Sequence, residues 1–216
     1  MDRGREDMLH ASRELTRTCA GLIRGLHQGR WDDAAARAAD RLAKRLAVLG
    51  RRHPHFLFHG ALLQALGEHV EARLLRAHLG KRPTPTPEAL SVPAGAYLYG
   101  LGDLVGELRR VTLACLLRGD HREAQRAFDS MEKAYEALHE CQAPEPLVAL
   151  RSKVDAARGL VERTRGELVT AKRAKELERK IDDVARLLDE AETRGAKRAK
   201  SKHDADLDLD AAWGKS

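Results

Sequence analysis

The sequence predicts an all-α protein, an antiparallel bundle of about six to seven helices around one core. Aromatic residues make up only 4% of the 216 residues and charged residues 33%, a composition typical of long helices rather than sheets. Apolar residues recur at steps of three and four through most of the chain, and no segment shows the alternation of a strand. Glycine and proline separate these segments and mark the ends of the helices.

Five helices can be placed from this periodicity, and a sixth, longer helix begins near Pro144 and Pro146. The five predicted helices cover residues 5–28, 33–50, 55–79, 94–118 and 122–141. Asp32 or Asp33 is placed to cap the second helix. Prolines recur between residues 81 and 93 and deny the backbone a helix, so we expect a loop there.

The C-terminal part of the chain differs from the rest in composition. The helical domain is predicted over residues 1–172, followed by a charged helical extension over residues 173–192 and a disordered charged tail over residues 193–216. Apolar residues of the extension alternate steps of four and three, a short heptad seam that would pack on the core or on a partner. The heptad seam consists of Leu177, Ile181, Val184, Leu188 and Ala191.

The net charge of +6 and the sequence pI near 9.4 predict attraction to an anionic partner, either nucleic acid or an acidic membrane surface. Neither a membrane span nor a signal peptide is expected, because there is no apolar run of about 18 residues and the charged N-terminus precedes no apolar stretch. Three widely spaced cysteines indicate no disulfide framework and fit a reducing compartment. We therefore expect a cytoplasmic protein without a membrane partner.

Four carboxylates lie on helix faces that are otherwise apolar. Glu68 and Glu71 are three residues apart in the third predicted helix, and Asp103 and Glu107 are four apart in the fourth. Their neighbours along each face are mainly Ala, Leu and Val, so both pairs would be buried. A buried ionised acid costs several kcal/mol unless it is paired. One Mg²⁺ or Mn²⁺ ion, which takes oxygen ligands, would neutralise both pairs.

The same acids have a simpler explanation, because helical acids are usually solvated or paired with arginine, and Arg73 and Arg110 are suitable partners. Glycines in the fourth predicted helix favour a more specialised site. Gly100, Gly102 and Gly106 each cost up to about 1 kcal/mol relative to alanine. Close helix packing, or close approach of a substrate backbone, would compensate.

Three segments of the chain carry recognisable motifs. Residues 97–110 have the sequence YLYGLGDLVGELRR, residues 64–72 have QALGEHVEA, and the N-terminal region contains SRELT and LIRGLH. The first segment resembles the tyrosine-led G-x-A-D-x-x-G-E-L-x-R pattern of the translin family. The second resembles the Q-E-Y-V-E-A segment of its Trax branch, and the N-terminal pair is similar to the family's S-R-D-I-T and L-H-R elements. The resemblance spans roughly residues 8–170.

The resemblance implies a translin-like fold that assembles into a ring or barrel, an octamer-type homo-oligomer or one that includes a second translin-family subunit. In Trax proteins, the corresponding acids form the metal-binding catalytic centre for RNA cleavage, whereas translin lacks the full set. Matched by motif, the catalytic and metal-binding residues would be Glu68, Glu71, Asp103 and Glu107, with Mg²⁺ (or Mn²⁺) as the cofactor.

Four arginines are candidates for nucleic-acid binding. Arg13, Arg17 and Arg24 lie on one side of the first predicted helix, a region that contributes to nucleic-acid binding in the family. A solvated basic face would give the same pattern. Arg110 matches a family arginine and would hold a phosphate or orient Glu107.

Several histidines have structural interpretations. His55 and His59 have the i, i+4 spacing of a metal site, with His53 nearby, but no acid or cysteine completes a ligand set. A helix-entry cluster with surface or RNA contacts is therefore favoured. His69 in place of a family aromatic residue, and Arg109 in place of an apolar one, put substrate specificity in doubt more than chemistry.

Two hypotheses of different class follow. The first is a nucleic-acid-binding, metal-dependent endoribonuclease that hydrolyses RNA phosphodiesters and prefers single-stranded RNA, whose backbone bends easily into a site. The alternative is a noncatalytic, oligomeric scaffold that binds RNA or single-stranded DNA through its basic faces. A third hypothesis is a structural assembly protein driven by the heptad seam.

Overall fold

The computed structural model describes residues 2–53, 60–141 and 148–213, and within these ranges the chain forms seven helices and no strand. The helices are α1 (Asp2–His27), α2 (Asp33–Arg52), α3 (Gly60–Leu79), α4 (Pro87–Leu90), α5 (Ala94–Leu117), α6 (His121–Glu140) and α7 (Val148–Trp213). The all-α prediction is confirmed. Pro144, Pro146, His55 and His59 lie outside the described residues.

Helices α3 and α5 form the centre of the first compact unit, residues 1–168. α3 packs against α1 and α5, α5 also packs against α6, and α1 packs against α2. A helix with neighbours on several sides must be apolar on most of its faces. The alanines and leucines of α3 meet this requirement on both sides of the helix, whereas α2 buries only one stripe.

A contact between two glycines sets the distance between α3 and α5. A Cβ atom placed on Gly100 would lie 2.5 Å from the carbonyl oxygen of Gly67 and 2.6 Å from Cβ of Val70, so only glycine fits. Gly102 faces the side chain of Lys153, which would lie 3.4 Å from an added Cβ, whereas a Cβ added at Gly106 would meet no atom of another helix or side chain within 4 Å. Close helix packing therefore explains Gly100, the first of the three glycines expected to need compensation.

The proline-rich loop contains a short helix that the sequence analysis did not predict. Pro87 begins α4, and the hydroxyl of Thr86 accepts a hydrogen bond from the backbone N–H of Ala89 at 3.3 Å. Proline is favoured in the first turn of a helix, where its missing N–H has no partner to lose. The prolines therefore interrupt the long helices but permit a single turn. The cap of α2 is Asp32, whose carboxylate accepts from two backbone N–H groups.

The second compact unit, residues 169–216, is helical through the described residues up to Trp213. The described backbone of residues 193–213 is helical. Alanine, lysine and arginine, all good helix formers, are frequent there, and proline is missing. Large side chains of the heptad seam are 56–61% exposed. None of the described helices, α7 included, is long and apolar enough to cross a membrane.

Candidate functional site

Two pairs of acidic residues meet where α3 and α5 cross. Glu68 and Glu71 lie on α3, next to Gly67, and the second pair lies on α5. The charges of Asp103 and Glu107 act on both glutamates and contribute to raising their pKa values. The four carboxylates therefore share one region of the bundle, the acidic centre.

Glu71 is the most deeply buried member of the acidic centre, with 7% of its surface exposed. Burial raises its pKa to about 8, and the charges of Asp103, Glu68 and Glu107 add to the shift. Burial and then Asp103 also raise the pKa of Glu68. Among the described residues, neither glutamate has an ion pair or a hydrogen-bond donor. Glu71 therefore keeps its proton at neutral pH or acquires a cation.

Asp103 has a basic partner that the sequence analysis missed. Its carboxylate forms an ion pair with the ammonium of Lys153 on α7, which also lies 5.2 Å from the ring centroid of Tyr99. The same ammonium opposes the rise in the pKa of Glu68 and Glu71. The sequence did indicate that Lys153 lies on the core-facing side of α7, because Leu150 and Val154 flank it there. It did not indicate the partner of Lys153, which depends on how α5 and α7 cross.

Glu107 contacts a residue at the end of α1. Its Oε2 atom shares a hydrogen bond with Nε2 of His27, which has only 13% of its side chain exposed. Nη1 of Arg110 lies 4.0 Å from the same oxygen, at the limit of an ion pair, and the arginine side chain is 61% exposed. His27 is therefore the closer partner of Glu107. His27 is the last residue of the LIRGLH motif, but nothing in the sequence indicated its contact with Glu107.

Arg73, a candidate partner for the acids in the sequence analysis, pairs elsewhere. Its guanidinium lies 2.9 Å from the carboxylate of Asp40 on α2, and Nε2 of His69 lies 3.6 Å from the other oxygen of that carboxylate. Burial, aided by Arg73 and opposed by Asp40, lowers the pKa of His69 to about 4. The departure at His69 therefore affects the packing of α3 on α2 rather than the acidic centre.

The departure at Arg109 also has a structural explanation. Its guanidinium donates two hydrogen bonds of 2.8 Å to the carboxylate of Glu167 and one of 2.6 Å to the hydroxyl of Thr164. These contacts join α5 to α7. Arg109 is therefore held by a bidentate ion pair with Glu167.

The donors of the acidic centre fit a hard divalent cation. Carboxylate oxygens are the ligands that Mg²⁺ and Mn²⁺ prefer, and the raised pKa of Glu71 means that a cation would stabilise its ionised form. In the described part of the chain, however, no group of three or more His, Cys, Asp and Glu side chains has the arrangement of a metal site. Metal binding therefore requires Asp103 and Glu107 to rearrange from Lys153 and His27.

A basic groove lies where α1 meets α2. Arg17 and Arg24, two predicted nucleic-acid-binding residues, line a cavity of about 670 Å³ together with Arg30 and Trp31. Arg13 is also exposed but does not line the cavity, and Arg110 lies on α5 beside the acidic centre. The guanidinium of Arg76 covers the Trp31 ring at 4.7 Å. The sequence analysis missed Arg30 and Trp31, which follow the turn at Gly29.

The chain belongs to the Translin family, because the family model matches residues 3–166. It is 33% identical over 170 residues to the uncharacterized protein MJ0175 of Methanocaldococcus jannaschii, and the alignment covers 78% of this chain and 77% of that protein. The family resemblance stated from the motifs is thereby confirmed at the level of the family.

Three solved structures named C3PO are similar to this chain. The crystal structure of AfC3PO has a TM-score of 0.70 and 34% identity, covering 80% of this chain and 92% of that one. The structure of an AfC3PO–duplex RNA complex has a TM-score of 0.68 and 35% identity over 80% and 91% of the two chains. Apo-NeC3PO, at 22% identity over 79% and 90% of the chains, has a TM-score of 0.68 and shows the fold alone.

Proposed function

We propose that this chain is a Trax-type member of the Translin family and a divalent-metal-dependent endoribonuclease. The observation that carries the proposal is Glu71, a buried carboxylate that lies among three other acids and has no basic hydrogen-bond partner among the described residues. Stability alone does not explain such a group, since buried acids without partners destabilise a fold. Groups with strongly shifted pKa values concentrate at functional sites.

The acidic centre would hold Mg²⁺ or Mn²⁺ through carboxylates from both helices. When bound, such a cation supplies an activated water and offsets charge on the phosphate. Lys153, once released from Asp103, would contribute a second positive charge to a phosphate in the centre. The exposed guanidinium of Arg110 would bind a phosphate oxygen.

RNA is the proposed substrate, and the basic groove is its proposed binding surface. Three arginines line the groove, and phosphate contacts of this kind provide most of the sequence-independent affinity for nucleic acid. AfC3PO, at 35% identity, has been solved with duplex RNA, which supports RNA as the ligand. We further propose a ring-like homo-oligomer, since AfC3PO and apo-NeC3PO share the translin-type fold.

The second candidate is a noncatalytic RNA-binding scaffold. Lys153 and His27 already hold Asp103 and Glu107, and this arrangement favours an acidic centre that is neutralised by the protein itself. In that case the basic groove would bind RNA while the acids served only to join helices.

Cleavage of internally labelled RNA by the full chain distinguishes the two candidates. The endoribonuclease is expected to cut single-stranded RNA faster than duplex RNA with Mg²⁺ or Mn²⁺, and to lose cleavage in EDTA. Glu71→Gln should lose cleavage and keep RNA affinity, while the exposed control Glu14→Gln keeps both. Cleavage that persists in EDTA contradicts the mechanism. Tight binding without turnover under any metal condition identifies the scaffold.

A further inference from the structure

The heptad seam of α7 is a continuous apolar stripe on an exposed helix. Leu177, Ile181, Val184 and Leu188 are each 56–61% exposed, and Leu187 beside them is 61% exposed. Single apolar side chains are common on protein surfaces, but a stripe at steps of three and four along one helix face is the pattern of a helix that packs against another element. All residues from 172 to 195 are exposed, so the described part of the chain does not cover the stripe.

The heptad seam lies outside the part of the chain that matches the family. The family model ends at residue 166, and the seam begins at Leu177. Neither the packing of the helical bundle nor the acidic centre therefore explains the stripe. An inference about the seam is independent of the proposed nuclease activity, because no acid of the acidic centre lies in the extension.

The charge of the extension indicates the kind of partner. Residues 172–195 contain seven Lys and Arg and seven Asp and Glu, so their formal charge is zero. Surfaces that bind RNA, and helices that lie on acidic membranes, carry an excess of Lys and Arg. A neutral helix with one apolar stripe instead fits a second helix of the same kind, because the two stripes bury each other in a coiled coil.

The positions beside the heptad seam carry opposite charges on its two sides. In the heptad letters a to g, the seam residues occupy positions a (Ile181 and Leu188) and d (Leu177, Val184 and Ala191). Three of the four g positions, on one side of the seam, are basic, and two of the three e positions, on the other side, are acidic. The charged g residues are Arg173, Lys180 and Arg194, and the charged e residues are Glu178 and Glu192.

These charges distinguish a parallel pair of helices from an antiparallel pair. In a parallel coiled coil, each g residue faces the e residue of the next heptad in the second helix, so basic residues meet acidic ones. In an antiparallel coiled coil, g faces g and e faces e, so like charges meet. Charge complementarity therefore favours a second copy of the same helix that runs in the same direction.

Arg173 and Glu178 are the pair that the parallel arrangement brings together. They are five residues apart and flank the seam on opposite sides, so they do not face each other within one helix. Both are exposed, and neither has an ion-pair partner among the described residues. Lys180, by comparison, lies 3.4 Å from Glu176 of its own helix, an exposed pair that contributes little to stability. Arg173 and Glu178 are therefore available for contacts between copies.

We propose that the heptad seam pairs with the seam of a second copy of this chain as a parallel, in-register, two-stranded coiled coil, in which Arg173 of each helix binds Glu178 of the other. Ile181 at an a position and Leu177 at a d position are the residue types that favour two parallel strands. The seam is shorter than the coiled coils that are stable alone, so pairing depends on protein concentration. Any contact between the helical domains of the two copies would strengthen it by tethering the extensions.

Disulfide cross-linking of the full chain tests whether the seams meet. Cys141→Ser removes the exposed native cysteine, whereas Cys19 and Cys115 are buried. In this background, Leu177→Cys places a thiol in the seam, where it faces the same residue of the second copy within reach of a disulfide. Arg186→Cys places the thiol on the opposite, outward face and is the matched control. After oxidation with diamide, Leu177→Cys should give at least about tenfold more cross-linked dimer than Arg186→Cys.

A mixture of two variants measures the direction of the helices. Leu177 faces Leu177 of the second copy in a parallel pair, but it faces Leu188 in an antiparallel pair that aligns the same seam. Equal amounts of Leu177→Cys and Leu188→Cys chains, mixed before oxidation, should therefore give mainly dimers of two identical variants. Mass spectrometry of the cross-linked peptides distinguishes these dimers from mixed ones.

Charge reversal measures the contribution of the flanking pair. Arg173→Glu places two carboxylates together at Glu178, so it should reduce the cross-linking of Leu177→Cys by about three- to tenfold. Arg173→Glu/Glu178→Arg restores opposite charges across the interface and should restore cross-linking. A general loss of structure would not be rescued by the second substitution, and circular dichroism should show equal helix content in all variants.

Three outcomes overturn the proposal. The first is equal cross-linking of Leu177→Cys and the outward control Arg186→Cys. The second is a majority of mixed dimers between Leu177→Cys and Leu188→Cys, which would make the pair antiparallel. The third is an Arg173→Glu variant that cross-links as well as its parent, since the flanking charges would then not contribute to pairing.

Discussion

The ammonium of Lys153 on α7 is bonded to the carboxylate of Asp103 on α5, within the centre where we propose a divalent cation. The lysine ammonium therefore neutralises a carboxylate that the proposed metal would otherwise neutralise. Any metal that binds must compete with it, which makes Lys153 a determinant of metal affinity.

Replacing this lysine should make the protein more dependent on metal. Lys153→Met leaves Asp103 without its partner, so Tm should fall in EDTA, while the rise in Tm on adding Mn²⁺ should exceed that of the wild type. Removal of the competing charge should increase Mn²⁺ affinity by about tenfold, as measured by calorimetry. Lys180→Met, which breaks an exposed pair with Glu176, is the control. An unchanged response to Mn²⁺ would show that the centre does not bind metal.

Glu71 should reduce stability at alkaline pH in the absence of metal. Its pKa is raised from 4.5 to about 8 in the folded protein, so the folded state binds the proton more tightly than the unfolded state between these values. Stability from this group is present below about pH 4.5 and is lost as pH rises through 8. Glu71→Gln should therefore be more stable than wild type at pH 9 in EDTA, by on the order of 2 kcal/mol. Urea denaturation at pH 6 and pH 9 measures the difference, and a constant difference contradicts the assignment.

His69 should have the opposite sign of pH dependence. Its pKa is lowered from 6.5 to about 4, so the unfolded state binds more protons between these values and stability falls as pH decreases through this range. Asp40 and Arg73 are the charged groups that face it. His69→Phe should lose this component, which we expect to be about 1 to 3 kcal/mol between pH 7 and pH 4.5. Urea denaturation of both proteins over this range is the measurement, and parallel curves would refute the prediction.

Two glycines of α5 should respond in opposite directions to the same substitution. Gly100→Ala places a Cβ against the backbone of Gly67, so it should destabilise the protein by several kcal/mol and reduce metal binding. Gly106→Ala meets open space and should stabilise the helix by about 0.5–1 kcal/mol. Thermal denaturation of both variants tests the crossing geometry. Equal effects would mean that the helices do not touch at Gly100.

RNA binding in the basic groove should be visible in the fluorescence of Trp31. Trp213→Phe leaves Trp31 as the single tryptophan, and added RNA should change its emission. Arg24→Ala should weaken RNA binding about three- to tenfold and reduce the salt dependence by about one unit. Arg37→Ala, exposed on α2 outside the groove, should have a smaller effect. A fluorescence signal that RNA leaves unchanged would exclude the groove as the binding surface.

The sequence was sufficient for the helices but insufficient for their side-chain partners. The spacing of apolar residues, with glycine and proline between segments, places the main helices, because burial of one helix face is visible in the local sequence pattern. Lys153 and His27 escaped prediction because each finds its acid across a helix interface, and sequence spacing on one helix does not determine that geometry. Trp31 was missed for a similar reason, because its place in the basic groove depends on how α1 and α2 pack together. The single turn at Pro87 was missed because proline was interpreted only as a helix breaker.

The pair Gly67 and Gly100 has a consequence for how the protein tolerates change. Main-chain atoms, rather than interchangeable side chains, are in contact there, so the gap between the two acidic helices has a hard lower limit and no room for adjustment. Substitutions elsewhere in the core would change the stability of the fold but leave the distance between α3 and α5 unchanged. A larger residue at Gly67 or Gly100 would instead push α3 and α5 apart and so separate the glutamates of α3 from the acids of α5.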